Sequence, residues 1–129
     1  MRQLNSFLLI SAFIIIGQGT LAQTYSDTIQ ANKFIKLAEK YSNKLSFDSS
    51  TVYLRKAAYI YKSVAENQKD TVSWGEYLGC LGTICTNFTQ QYQFEDSKNV
   101  LDSALTVSLG VFGDQTEEYI GRGIGGNAG

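Results

Sequence analysis

Few side chains in this sequence can do covalent or acid-base chemistry, and their spacing argues against an active site. There is no histidine, which removes the commonest general base and any Ser-His or Cys-His pair. Cys80 and Cys85 are five residues apart; on one regular helix that separates their Cα atoms by about 7.5 Å along the axis, too far for a bridge. With neither a CxxC spacing nor a histidine partner, redox or metal work is not expected. Cys85 reads as a small buried hydrophobe, and Cys80 stays undecided. The carboxylate pairs Glu95/Asp96 and Glu117/Glu118 are sequence neighbours, suited to helix starts, where the dipole favours negative charge. Gly121-x-Gly123-x-x-Gly126 matches a dinucleotide fingerprint in letters only, because the preceding strand, following helix and acidic residue about twenty positions on are not supplied. Asn87-Phe88-Thr89 has the form of a glycosylation sequon, and Phe88, at helical spacing from Ile84, suggests a partly buried site. No catalytic residue, cofactor or metal ligand is assigned.

Helices must position whatever function remains. From Asp27 to Lys44 the residues Ile29, Phe34, Leu37, Ala38, Tyr41 and Leu45 recur at three and four, the period of a helix with one buried face. Lysines 33, 36, 40 and 44 mark its wet side. A turn at Ser46-Phe47-Asp48 follows, with Asp48 placed to cap a second helix over about 49–67 and Phe47 to staple onto Val52. Residues 67–70 read as a loop. Ser73-x-x-Glu76 resembles a capping box for a third helix carrying Trp74, Tyr77, Leu78, Leu81, Ile84, Cys85 and Phe88. Glycines 75, 79 and 82 each cost that helix up to about 1 kcal/mol against alanine, so close helix contacts are expected there. The next turn, at 89–93, is expected to be three residues longer than the first. A fourth helix over about 95–109 then repeats the second, with Phe, Ser, Leu and Ala all kept at an offset of 47 residues. Gly113 suits a C-cap, and a fifth helix is expected from about Thr116. Trp74 and tyrosines 53, 59, 61, 77 and 92 are expected in core or inter-repeat packing rather than a ligand cage.

The first residues read as an export signal. Arg2, the apolar run Phe7–Ile16 and the small residues Thr20-Leu21-Ala22 predict a signal peptide over 1–22, cut after Ala22. The competing reading, an uncleaved anchor, needs about 20 apolar residues, and Gly17-Gln18-Gly19 interrupts this run. The expected location is the periplasm or extracellular space, with no stable membrane span once the leader is removed. The remaining chain is of single-domain size. Without Arg2 it has ten basic and twelve acidic residues, and this lack of concentrated positive charge argues against nucleic acid and membrane surfaces as partners.

One pattern occurs twice. Phe34-x2-Leu37-Ala38-x2-Tyr41 precedes Ser50-x3-Leu54-x2-Ala57, and Leu78-x2-Leu81-Gly82-x2-Cys85 precedes Ser97-x3-Leu101-x2-Ala104. Large residues on one helix entering gaps beside small ones on the next suit a packed helical hairpin. The pattern resembles the tetratricopeptide repeat, and Ala104 to Gly113 is similar to the longer repeats of the kinesin light chain type. The resemblance implies an all-α, right-handed helical-hairpin solenoid of about two and a half repeats. Two hairpins fill 23–113, and 114–129 starts a third, Gly-rich and truncated or frayed. It departs from the family in having no proline, no full third repeat and no polar capping helix.

The resemblance also implies a non-enzymatic scaffold for a protein or extended peptide, with self-association a further expectation. Its groove maps onto Asn32, Ile35, Glu39, Ser42 and Asn43, then Glu76, Gly79, Thr83, Thr86 and Asn87. Asn, Ser, Thr and Glu there would hold a peptide through its backbone; the same pattern suits an ordinary solvated helix face equally well. The alternative reading makes these repeats the N-terminal sensor or recruiting part of a larger signalling kinase or caspase-like peptidase.

Overall fold

The computed structural model describes residues 22–113 in full and the backbone of 2–21. The leader expected over 1–22 and the third repeat expected over 114–129 lie essentially outside the fully described residues. Four helices run in order: α1 (Arg2–Asn43), α2 (Phe47–Gln68), α3 (Thr71–Gln90) and α4 (Phe94–Phe112). Consecutive helices pack against one another. The fold is all-α and made of helical hairpins. Among the described residues no helix is long and apolar enough to cross a membrane.

The turns show how closely the two halves repeat. After α1, Leu45 adopts φ 60°, and the N–H of Ser46 donates to the Tyr41 carbonyl at 2.9 Å. After α3, Tyr92 adopts φ 60°, and the N–H of Gln93 donates to the Phe88 carbonyl at 2.8 Å. Both turns satisfy helix-end carbonyls through one left-handed residue, and both are three residues long. The expected three-residue extension at 89–93 is therefore corrected. One offset of 47 residues holds through the turns, so Phe88 rather than Cys85 is the counterpart of Tyr41. Leu81-Gly82 resembles Leu37-Ala38 in letters but lies about one helical turn away from the true register.

Helix starts also differ from expectation. Asp70, not Ser73, caps α3: its carboxylate accepts from the N–H of Val72 at 3.0 Å and the hydroxyl of Ser73 at 2.7 Å. These bonds, that of Ser73 first, hold the Asp70 carboxyl below its ordinary pKa. The expected loop at 67–70 contracts because α2 continues to Gln68 and the left-handed Lys69 ends it. At the start of α2, Ser46 occupies the capping position without a side-chain cap bond. Asp48 instead accepts from the Gln91 side chain at 2.7 Å, and Val52 is exposed.

The core lies where α2 is sandwiched between α1 and α3. Ala31, Ala38, Ala57, Ala58 and Ala65 are buried, and such small side chains let helix backbones approach. Leu54, Tyr61, Leu81 and Ile84 fill the spaces beside them. Tyr53 stacks on Phe34 at 6.0 Å and on Tyr41 at 5.5 Å between ring centroids, while the Lys56 ammonium lies 5.3 Å from the Tyr53 centroid. Ala38, Ser50, Leu54, Ala57 and Leu81 are buried, and Phe34, Tyr41, Leu78, Cys85, Ser97 and Ala104 are half-buried.

Three expected packing residues are not buried. Leu37 is exposed on the outer side of α1, because Ala31, Ala38 and their neighbours set the contact stripe instead. A Cβ on Gly82 would meet no atom within 4 Å, and the same holds at Gly75 and Gly79. These glycines therefore lie on an open face and not at close helix crossings. Leu101 is 52% exposed, whereas its counterpart Leu54 is 3% exposed. Leu54 has helices on both sides; Leu101 has only α3 beside it among the described residues. Tyr59 and Tyr92 are likewise exposed, contrary to the expectation of packed aromatic stripes.

Candidate functional site

A groove runs between α1 and α3, with α2 as its floor. One cleft, of about 250 Å³, is lined by Ile35, Ala38, Glu39, Ser42, Ser50, Leu54 and Thr83. A second, of about 240 Å³, is lined by Ile35, Leu54, Glu76, Gly79, Cys80 and Thr83. Their shared residues, Ile35, Leu54 and Thr83, make them one continuous depression. Its floor is made by Leu54 with Ser50 beside it, and its only charged lining residues are Glu39 and Glu76. Neither carboxylate has an ion-pair partner among the described residues. The open α3 wall follows from Gly79, whose missing side chain leaves space a larger residue would fill.

The residues mapped to the groove divide. Ile35, Glu39, Ser42, Glu76, Gly79 and Thr83 meet there. Asn32 is exposed and accepts a hydrogen bond from the Tyr61 hydroxyl. Asn43 and Thr86 are exposed but line neither cleft. The hydroxyls of Thr83 and Thr86 each donate to the carbonyl four residues back, at 3.2 Å, so toward a ligand they present acceptor lone pairs.

Asn87 is the clear departure. Expected on the groove wall, it is 1% exposed and sits in the seam between α2 and α3. Its amide donates to the hydroxyls of Ser50 at 3.0 Å and Thr51 at 3.1 Å. The reason is rotational register: Asn87 follows Ile84 by three residues and Cys80 by seven, which puts all three on the buried stripe of α3. The sequon nitrogen is thus occupied in the folded chain. Sequence reading also missed Ser50 and Leu54 as groove floor; only the crossing of three helices brings them there.

Cys80 lines the groove with a thiol that burial keeps protonated at neutral pH. Burial first, and then the nearby Glu76 carboxylate, push its thiol up to about 11, and the thiolate is the reactive form. The same two causes, burial before Glu76, raise the Tyr61 hydroxyl. Cys85, expected to be the buried cysteine, is only half-buried; its thiol contacts the Ser97 carbonyl at 3.4 Å. Both cysteines are free. Alkylation at pH 8 is therefore expected to modify Cys85 well before Cys80, read by mass spectrometry of digested protein. Because Cys80 has a raised folded-state pKa, its contribution to stability is complete below pH 9 and declines as pH approaches about 11. Equal labelling rates would show that the folded chain does not protect Cys80.

Comparison with protein families, with characterised proteins and with solved structures finds no match to this chain.

Proposed function

We propose that this chain is a non-enzymatic, exported scaffold of tetratricopeptide type, and that the groove between α1 and α3 holds an extended peptide. The observation that carries the reading is the continuity of the two clefts, which share the apolar Leu54 on the floor and Ile35 on the α1 wall. Extended peptides suit such a surface, since pockets take alternate side chains while polar wall groups meet the backbone. Glu39 and Glu76, with no cation beside them in the lining, favour peptides carrying Lys or Arg.

Selection of random peptides on the full chain is expected to enrich basic sequences. Their binding should weaken by roughly tenfold or more in Glu39→Lys/Glu76→Lys, as expected when electrostatic complementarity is reversed, with unchanged helical circular dichroism. Enrichment without charge bias, or binding indifferent to both substitutions, would refute the groove as the site.

A second reading, recruiting repeats of a larger signalling kinase or caspase-like peptidase, draws support from the exposed Leu101, Leu105 and Leu109 on α4. Such a stripe suits a following helix as its cover. The intact mass of the protein recovered from its own cells separates the two readings.

A further inference from the structure

A second cleft, of about 220 Å³, opens on a different face between α2 and α3 and shares no lining residue with the groove. On α2 it lies roughly 110° around the helix from the Ser50/Leu54 stripe, at about 100° per residue. Arg55, Tyr59 and Lys62 form one wall at helical spacing, and buried Ala58, Leu81 and Ile84 form the floor. No carboxylate lines it. Its charge is opposite to that of the groove. Tyr59 is 77% exposed, so the wall offers an uncovered aromatic between two cations.

The same chain carries a complementary knob at the start of α4. Tyr92 and Phe94 are both exposed and pack edge to face with their ring centroids 6.2 Å apart. Glu95 and Asp96 follow in the first turn of the helix. Neither has an ion-pair partner among the described residues. Two large aromatics held in solvent beside two carboxylates are an unusual surface for a monomer, because clustered apolar exposure marks contact sites.

We propose that the knob Tyr92–Asp96 of one copy docks into the Arg55/Tyr59/Lys62 cleft of a second copy. Phe94 enters over Leu81 and Ile84, and Glu95 and Asp96 face Arg55 and Lys62. Two cations, with the Arg55 guanidinium resting 5.9 Å from the Phe88 ring centroid, on a chain of net charge −1 are too few for a polyphosphate or an anionic membrane, which need several basic contacts. The contact is heterologous: knob and cleft are different surfaces, so each copy can use one and offer the other, building rings or open chains.

Sedimentation of the full chain tests this. Wild type is expected to associate progressively as its concentration is raised, as a weak contact of small area does, and to dissociate in high salt. A cleft variant, Arg55→Glu/Lys62→Glu, and a knob variant, Phe94→Ser/Glu95→Lys, should each be monomeric. Mixed in equal amounts, they retain one intact knob and one intact cleft and should form a heterodimer and nothing larger. Unchanged circular dichroism of both variants separates loss of contact from loss of fold. A monomeric wild type, association that persists in both variants, or folded variants that fail to pair when mixed would each overturn the proposal.

Discussion

Asn87→Ala is expected to destabilise the folded chain by about 2 to 4 kcal/mol, combining a cavity in the α2–α3 seam with two buried hydroxyls left without their donor. Asn87 is almost wholly buried, and its one amide group holds both Ser50 and Thr51. Since all three sit between helices from different hairpins, the loss falls on the inter-repeat contact and not on either helix alone. Urea unfolding followed by circular dichroism measures it. Asn43→Ala is the matched control: Asn43 is exposed, and surface substitutions of this kind stay within about 0.5 kcal/mol. Equal effects at the two positions would place Asn87 on the surface and refute the seam. Combining Asn87→Ala with Ser50→Ala should cost less than the sum of the two, because the second change removes a group the first had already orphaned.

Ala57→Trp is expected to do comparable damage. Ala57 has no accessible surface and lies on α2, where helices pack on both sides. An indole there must push backbones apart, and overpacking typically costs about 1 to 3 kcal/mol, occasionally more; the upper end is expected at a site closed from two directions. At about 4 to 8 °C per kcal/mol for a domain of this size, the melting temperature should fall well beyond measurement error. Ala104→Trp, at the equivalent place one repeat later, should cost less than about 1 kcal/mol, because α4 has no buried residue and the new ring can turn outward. Similar melting temperatures for the two variants would mean that α4 is covered as fully as α2.

That pair of substitutions shows where sequence reading works. The offset of 47 residues correctly pairs Leu54 with Leu101 and Ala57 with Ala104, and the turns confirm it through Leu45 and Tyr92. Equivalence in sequence is nevertheless not equivalence in burial. A repeat's environment comes from its neighbours, and no pattern within a repeat specifies how many of those it has. The mistaken pairing of Leu37-Ala38 with Leu81-Gly82 has a related origin. Helical periodicity tolerates a shift of three residues, since positions three apart share a face, so composition alone does not choose between adjacent registers. The hydrogen bonds of the turns make that choice.

The groove was partly legible for the same reason. Glu39, Ser42, Glu76 and Thr83 could be placed on exposed faces by counting around a helix. Asn87 could not be separated from them, because a polar residue at the edge of an apolar stripe is equally suited to water and to a buried partner. Ser50 and Thr51 settle it, and they come from 36 or 37 residues earlier in the chain.

What the sequence by itself determined is the all-α class, α2, α3 and α4 to within a few residues, the C-terminal end of α1 but not its start at Arg2, and the offset of 47 residues between the two halves, all of which depend on local periodicity and turn chemistry. Only the tertiary structure decided that Asn87 is a seam and not a groove residue, that Cys80 rather than Cys85 is the buried thiol, and that the glycines of α3 face open space. Those outcomes depend on how helices rotate about their own axes when they pack. That rotation is set by the volumes and hydrogen bonds of residues dozens of positions apart, which no local pattern records.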